Sequence, residues 1–286
     1  MSDPKIVHSP EEMSTLSRVS FVPTMGALHE GHLSLIRQAR DLGGPVVVSV
    51  FVNPTQFAPG EDLEAYPRGL EQDVKLAGEA GCDIVYAPTV STMYPEGPEA
   101  AIASAAEFPL PAVATEPGLE DGDRPLFFGG VCLVVSRLLQ QVHPARAIFG
   151  EKDWQQLQVV SAMTAGDPEF RSIEILQGGI VRDPDGLAMS SRNQRIPPEQ
   201  RDRALGVPRA LQVAHAAQHP RTAERLMRET LEVHELEVGY AVVRHPQTLR
   251  EVDDFTGPTR SLIAATLRWE GGEVRLIDNR AMTVWS

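Results

Sequence analysis

Two stretches of this chain carry residue types suited to phosphate chemistry. Residues 22–36 read Val-Pro-Thr-Met-Gly-Ala-Leu-His-Glu-Gly-His-Leu-Ser-Leu-Ile, with His29 and His32 flanking Gly31 where an amphipathic helix begins. A strand that breaks into a glycine-containing turn and then a helix leaves the first N–H groups of that helix unpaired, and the helix dipole adds positive potential there. Two imidazoles at this point can donate to phosphate oxygens and stabilise charge that builds on them. The second stretch is Met189-Ser190-Ser191-Arg192-Asn193. Its two hydroxyls and its arginine suit a polyphosphate, since guanidinium matches phosphate oxygens bidentately and keeps its proton. Together the two motifs point to adenylation of a carboxylate.

Each motif also has a plainer reading. His29 and His32 suit a helix cap, or two metal ligands, although no third ligand cluster completes a metal site. Ser-Ser-Arg-Asn ahead of Pro197-Pro198 suits a polar interdomain loop. Lys152, one of three lysines, sits in Gly150-Glu151-Lys152-Asp153 after a strand, as a phosphate contact or as a surface lysine beside two acids. Gln156 shares a helical face with Lys152 or Asp153, and its amide suits a hydroxyl or carboxylate. Asn53 and Gln56 follow a buried strand, where loops of α/β sheets concentrate function. Tyr66-Pro67-Arg68 and Arg124 to Val131 are further candidates, and Val131, Val134 and Val135 have the spacing of core or pocket wall.

The elements that must position these residues alternate. Strands are expected at 18–22, 46–52, 83–87, 145–149 and 172–177, with helices to about 41 and over 69–80, 130–142 and 154–165. The run Val46 to Val52 is apolar and β-branched, the mark of a strand buried on both faces of a parallel sheet. This pattern predicts an α/β fold, a Rossmann-like doubly wound parallel sheet with ligands beyond the carboxyl ends of its strands. Residues 88–126 are loop-rich, with seven prolines and an alanine-rich piece at Glu99–Glu107, and the sequence assigns them no architecture. After Asp183-Pro184-Asp185-Gly186 the character changes: helices at 198–218 and 222–234, then strands at 237–243, 261–268 and 274–277. The expected organisation is a Rossmann-like domain at 1–183 and a smaller α+β domain at 184–286.

The 286 residues allow an ample core, and the composition is that of a globular protein. The net charge of −13 includes no basic stripe, which argues against nucleic acid. The acidic excess lies in 1–186, so an anionic substrate there depends on local donors rather than long-range steering. No apolar run approaches a membrane span, the N-terminus lacks the regions of a signal peptide, and Cys82 and Cys132 read as buried free thiols. A cytoplasmic protein is expected.

The ordered set Pro23–Leu35, Ser49–Phe57, Ala145–Leu157, Ile180–Asn193 and Arg275-Leu276-Ile277-Asp278-Asn279 resembles the pantoate–β-alanine ligase family, nucleotidyltransferase-like members of the HIGH superfamily. The resemblance implies that pantoate attacks the α-phosphate of Mg-ATP to give pantoyl adenylate and pyrophosphate, and that β-alanine then displaces AMP. It implies an ATP site of Met25, Gly26, Ala27, Leu28, His29, Glu30, Gly31, His32, Gly150, Glu151, Lys152, Asp153, Val181, Met189, Ser190, Ser191 and Arg192. His29, His32, Lys152, Ser190, Ser191 and Arg192 would be catalytic, with Mg²⁺ held through the ATP phosphates rather than by protein ligands. Gln56 and Gln156 would bind pantoate, Gln56 also β-alanine, with Met25, Asn53, Val131, Val134 and Val135 beside them. A homodimer through the N-terminal domain and a lid role for the second domain are also implied. One position departs: where the family commonly has Arg-Pro-x-His-Phe-x-Gly-Val, this chain has Phe127 at the histidine, and 97–123 is divergent too.

Overall fold

The computed structural model describes residues 3–57, 63 and 66–282. They form two compact units, 1–151 with 155–179 and 152–154 with 180–286. Residues 152–154 thus belong with the second unit although they directly follow a strand of the first.

The first unit is built on a six-stranded parallel sheet. Its strands are β1 (Lys5–Val7), β2 (Ser20–Thr24), β3 (Val46–Val50), β4 (Ile84–Tyr86), β5 (Arg146–Gly150) and β6 (Glu174–Gly178), in the order β1-β4-β3-β2-β5-β6. β2 pairs with both β3 and β5, so the chain winds outward through β3 and β4 on one side and β5 and β6 on the other. Ligands in such sheets bind at the crevice this reversal leaves. Helix α1 (Glu30–Asp41) buries Leu33, Leu35, Ile36 and Ala39 in a cluster with Val22, Val46, Val48 and Ile148. Each large side chain buried there contributes about 1.5–3 kcal/mol. Helix α2 (Leu70–Glu79) adds Ala77 to the same cluster.

Residues 88–126, whose loop-rich sequence assigns no architecture, form α3 (Val90–Met93), α4 (Pro98–Ala106) over the alanine-rich piece, a 3-10 turn at Ala112–Ala114 and α5 (Glu120–Asp123). The prolines end these pieces without preventing them, and Pro98 sits in the first turn of α4, where its missing N–H costs nothing. Helix α6 (Phe127–Val142) begins three residues earlier than its apolar spacing suggests, and α7 (Trp154–Gly166) follows β5. Cys82 and Cys132 are buried and free, and burial raises each thiol to about 12, which keeps them protonated.

The second unit carries an antiparallel sheet of β7 (Glu237–Arg244), β8 (Thr259–Trp269) and β9 (Gly272–Met282). The helix expected over 198–218 is broken into a 3-10 turn (Pro198–Gln200), α8 (Arg201–Ala204) and α9 (Gly206–Ala214). Pro208 cannot donate to the Ala204 carbonyl, so the helix restarts there. Helix α10 (Pro220–Val233) follows, and Met227 and Leu231 enter one core with Leu211, Val243, Ile263 and Leu276. β9 runs well past the expected 274–277 because β8 pairs with its whole length, from Trp269↔Gly272 to Thr259↔Met282. No described helix is long and apolar enough to cross a membrane.

Candidate active site

The loop after β2 holds the first group of predicted residues. Thr24 hydroxyl donates to the Ser49 carbonyl at 2.6 Å and accepts from Gly26 N–H at 3.1 Å, which turns the chain off the sheet. Gly26 (φ +81°) and Ala27 (φ +50°) are both left-handed. For alanine this costs on the order of 1–2 kcal/mol. A Cβ on Gly26 would stand 2.7 Å from Asp73 Oδ2, so only glycine fits. The Asp73 carboxylate, on α2, accepts from Leu28 N–H at 2.8 Å and Ala27 N–H at 3.0 Å. It is 3% exposed, and burial pushes its carboxyl above the ordinary aspartate value while these two bonds pull it back. Sequence reasoning missed Asp73. Its signal is position: an acid in helical step with Leu70 and Ala77, on the face that turns inward.

His29 and His32 both cap α1. His29 Nδ1 accepts from Gly31 N–H at 3.1 Å, and His32 Nδ1 accepts from His29 N–H at 3.4 Å, with ring centroids 4.1 Å apart. The capping reading is therefore what the hydrogen bonds show. With both Nδ1 atoms accepting, the neutral rings carry their protons on Nε2, as the bonding pattern assigns them. Each histidine is thereby fixed as an Nε2–H donor at the N-terminus of a helix, where a phosphate is favoured.

The neighbouring strand ends bring in the next residues. Gly150 closes β5 beside β2, and Asn53 and Gln56 follow β3, on the other side of β2. Asn53 is 1% exposed and its amide is engaged within the protein. Its Oδ1 accepts from Tyr94 hydroxyl at 2.7 Å and Thr55 hydroxyl at 3.1 Å, and its Nδ2 donates to the Gly130 carbonyl at 3.1 Å. Asn53 thus ties the 3-10 turn Pro54–Gln56 to α6. Gly130 allows this approach, since a Cβ there would collide with the Thr55 carbonyl. Gln56 is half-buried, and its carbonyl accepts from Arg124 Nη2 at 3.1 Å. Val131, Val134 and Val135 are buried in α6, and Gln156 is half-buried in α7.

Lys152, Asp153, Val181 and Met189–Arg192 lie in the second unit. Asn279 Nδ2 on β9 donates to the Lys152 carbonyl at 3.0 Å, and Arg260 on β8 donates to Asn279 Oδ1. The Arg260 guanidinium stacks 3.4 Å over Trp154, whose Nε1 donates to the Pro246 carbonyl at 2.7 Å. Lys152 Nζ has Asp153 at 3.9 Å, too long for a hydrogen bond. The strip 181–189 folds back on itself, with an Arg182↔Ala188 bridge, and Arg182 grips buried Asp278 with two bonds of 2.6 and 2.9 Å. Ser190 caps the 3-10 turn Ser191–Arg195 by accepting from Arg192 N–H at 3.3 Å. A small depression is lined by Lys152, Ser190, Asn193, Arg275 and Asp278 among others. The side-chain oxygen of Asn193 is buried there without a hydrogen-bond partner among the described residues.

Among the described residues no three His, Cys, Asp or Glu side chains converge as a metal site. The imidazoles of the first unit and, separately, the hydroxyl, ammonium and guanidinium groups of the second are donors that suit phosphate oxygens rather than a cation.

The profile of a family described as pantoate-beta-alanine ligase matches residues 5–281. The pantothenate synthetase of Rubrobacter xylanophilus is 46% identical over 297 residues, which cover 99% of this chain and 100% of the relative. The crystal structure of pantothenate synthetase from Thermus thermophilus superposes with a TM-score of 0.85 at 41% identity, covering 96% of this chain and 98% of that one. A Francisella tularensis pantoate-beta-alanine ligase complexed with beta-gamma ATP and beta-alanine superposes with a TM-score of 0.74 at 27% identity, covering 97% of each chain.

Proposed function

The chain belongs to the pantoate–β-alanine ligase family and condenses pantoate with β-alanine at the expense of ATP, and we propose that it does so through a pantoyl adenylate. Pantoate's carboxylate attacks the α-phosphorus, and pyrophosphate leaves. The β-alanine amine then attacks the acyl carbon, loses a proton and expels AMP. Mg²⁺ arriving with ATP would be held by the nucleotide rather than by protein side chains, and would neutralise part of the phosphate charge.

The roles follow from what each group can donate. The Nε2–H groups of His29 and His32 stabilise charge on the phosphates, at a helix N-terminus whose dipole favours an anion. Lys152, Ser190, Ser191 and Arg192 add donors for the oxygens that gain charge as pyrophosphate departs, and Gly150, Glu151, Asp153, Val181 and Met189 complete the ATP site. Gln56 and Gln156 hold pantoate, Gln56 also receives β-alanine, and Val131, Val134 and Val135 give the acid an apolar wall. Asn53 serves this site by fixing the turn that carries Gln56. A cytoplasmic homodimer joined through the first unit belongs to the same reading, and sedimentation of the purified protein checks the dimer.

The observation that carries the proposal is the pair of capping histidines, locked as Nε2–H donors at the switch point of the sheet. Pantoate-dependent ATP–pyrophosphate exchange with Mg²⁺ and no amine tests it. Exchange that requires pantoate, followed by AMP release on adding β-alanine, is the expected result. Absence of exchange in folded, ATP-binding protein overturns the adenylate route.

A further inference from the structure

Phe127, which the resemblance sets at a histidine position, carries a specific occupant on its ring. The Arg124 guanidinium lies 4.0 Å from its centroid, while the Phe128 ring lies 5.2 Å away on a 58° tilt. The same guanidinium donates to the Gln56 carbonyl at 3.1 Å. Its backbone is fixed as well: Arg124 N–H donates to the Glu120 carbonyl at 2.7 Å, and Phe127 N–H to the Arg124 carbonyl at 3.0 Å.

The other side of this divergent segment is held by Gln155, the neighbour of Gln156. Gln155 is 3% exposed, and its Nε2 donates to Asp121 Oδ1 at 2.8 Å and to the Val113 carbonyl at 3.0 Å. Its Oε1 accepts from Glu120 N–H at 3.0 Å. Residues 113–124 are thus pinned at one end beside Gln156 and at the other to Gln56 itself. This segment thus runs from the neighbour of Gln156 to Gln56, the two glutamines proposed for the acid.

We propose that Arg124, steadied by stacking on Phe127, is a positioning residue that sets Gln56 for the acid substrate. The inference rests on the reading of Gln56 as an acid-binding residue. A guanidinium keeps a donor on one carbonyl more readily when its plane is held, and an aromatic face holds it at little entropic cost. Phenylalanine here is therefore a working partner of Arg124 rather than a vacant histidine position. Removing the ring frees Arg124 to other rotamers and loosens the Gln56 turn, while the ATP loop after β2 keeps its own anchors.

The test is pantoate-dependent ATP–pyrophosphate exchange, with KM and kcat for pantoate and ATP measured separately on the full chain and on Phe127→Leu, Phe127→Tyr, Arg124→Gln and Gln56→Ala. Phe127→Leu and Arg124→Gln raise the pantoate KM about three- to thirtyfold, the worth of a cation–π contact, at unchanged ATP KM and melting temperature. Phe127→Tyr keeps the platform and stays near the parent. If Gln56→Ala raises the pantoate KM but Phe127→Leu and Arg124→Gln do not, the positioning role is overturned and the site stands. If Gln56→Ala leaves the pantoate KM unchanged, the assignment of Gln56 falls, and the inference with it. An equal rise in both KM values marks a merely structural contact and also overturns it.

Discussion

In the first unit the candidate phosphate donors are capping imidazoles, on a loop whose backbone is left-handed at Gly26 and strained at Ala27. In the second they are the long side chains of Lys152 and Arg192. The anchors differ accordingly. A loop that must hold left-handed residues is secured by a buried carboxylate, Asp73, an acceptor-only group that satisfies two N–H groups at once. A lysine on a tolerant backbone needs only its carbonyl held. Asn279 does that with a neutral amide, itself fixed by Arg260 on Trp154. The contrast teaches a division of labour: an ion anchors where backbone conformation is the functional element, and an amide where it merely carries one. A carboxylate at 279 would set negative charge beside the lysine meant for phosphate.

The largest test asks whether both halves carry chemistry. His32→Ala and Lys152→Ala each lower kcat for pantoate-dependent exchange by about 10²–10³, the cost of losing one preorganised donor. Circular dichroism melts remain close to the parent. A full effect in one variant and none in the other breaks the symmetry between the halves.

Next is the ion anchor. Asp73→Ala leaves two buried N–H groups without their acceptor, at a cost of about 1–3 kcal/mol in chemical unfolding. It also lowers kcat/KM for ATP by about ten- to hundredfold, while the pantoate KM changes little. Asp73→Asn keeps one acceptor and recovers part of both losses. An Asp73→Ala enzyme with parental ATP kinetics would mean that the strained loop holds itself.

The amide anchor gives a smaller effect. Asn279→Asp keeps an acceptor for Arg260 but loses the donor to the Lys152 carbonyl. Exchange kcat falls about tenfold, roughly one charge-assisted contact's worth, and the variant responds to salt more steeply than the parent. Parental kcat in this variant would show that Lys152 is placed without its carbonyl bond.

The same contrast explains what could be read from residues alone. His-x-Gly-His and Ser-Ser-Arg are polar residues at a strand-to-helix turn and in a loop, where their types speak for themselves. Val46–Val50 announces a doubly covered strand by having no polar alternation until Ser49. The anchors are silent because they act on main-chain atoms far away in sequence. Asp73 serves Leu28, Asn279 serves Lys152, and Arg124 serves Gln56. Nothing in a helix reading Glu-Gln-Asp-Val-Lys separates a solvated acid from one that holds a distant loop. Polar Asp278 and Asn279 likewise hid the second half of β9, although both are buried as anchors. Residues 88–126 hid their short helices because each holds too few turns for a period to show.

The smallest effect is the pH dependence of the two units, and its sign separates two kinds of carboxylate. Asp73, raised by burial, binds its proton more readily folded than unfolded. Its contribution to stability therefore declines as pH climbs from the ordinary aspartate value through the raised folded one. Asp185 in the second unit is lowered, first by its hydrogen bonds from Arg201 at 2.8 and 2.9 Å. Its contribution is complete above the ordinary value and fades as pH falls through the lowered folded one. Solvent screening keeps this partly exposed pair to a few tenths of a kcal/mol, about the size of a surface ion pair. Urea midpoints of the parent, Asp73→Asn and Asp185→Asn between about pH 3 and about pH 6 read both contributions. Trp154 and Trp269, the tryptophans among the described residues, fall in the second unit, so their fluorescence follows that unit and circular dichroism follows both. Relative to Asp73→Asn the parent loses stability as pH rises, and relative to Asp185→Asn it gains. Slopes of the same sign would mean that Asp73 is stabilised as a carboxylate by its two N–H bonds more than burial penalises it.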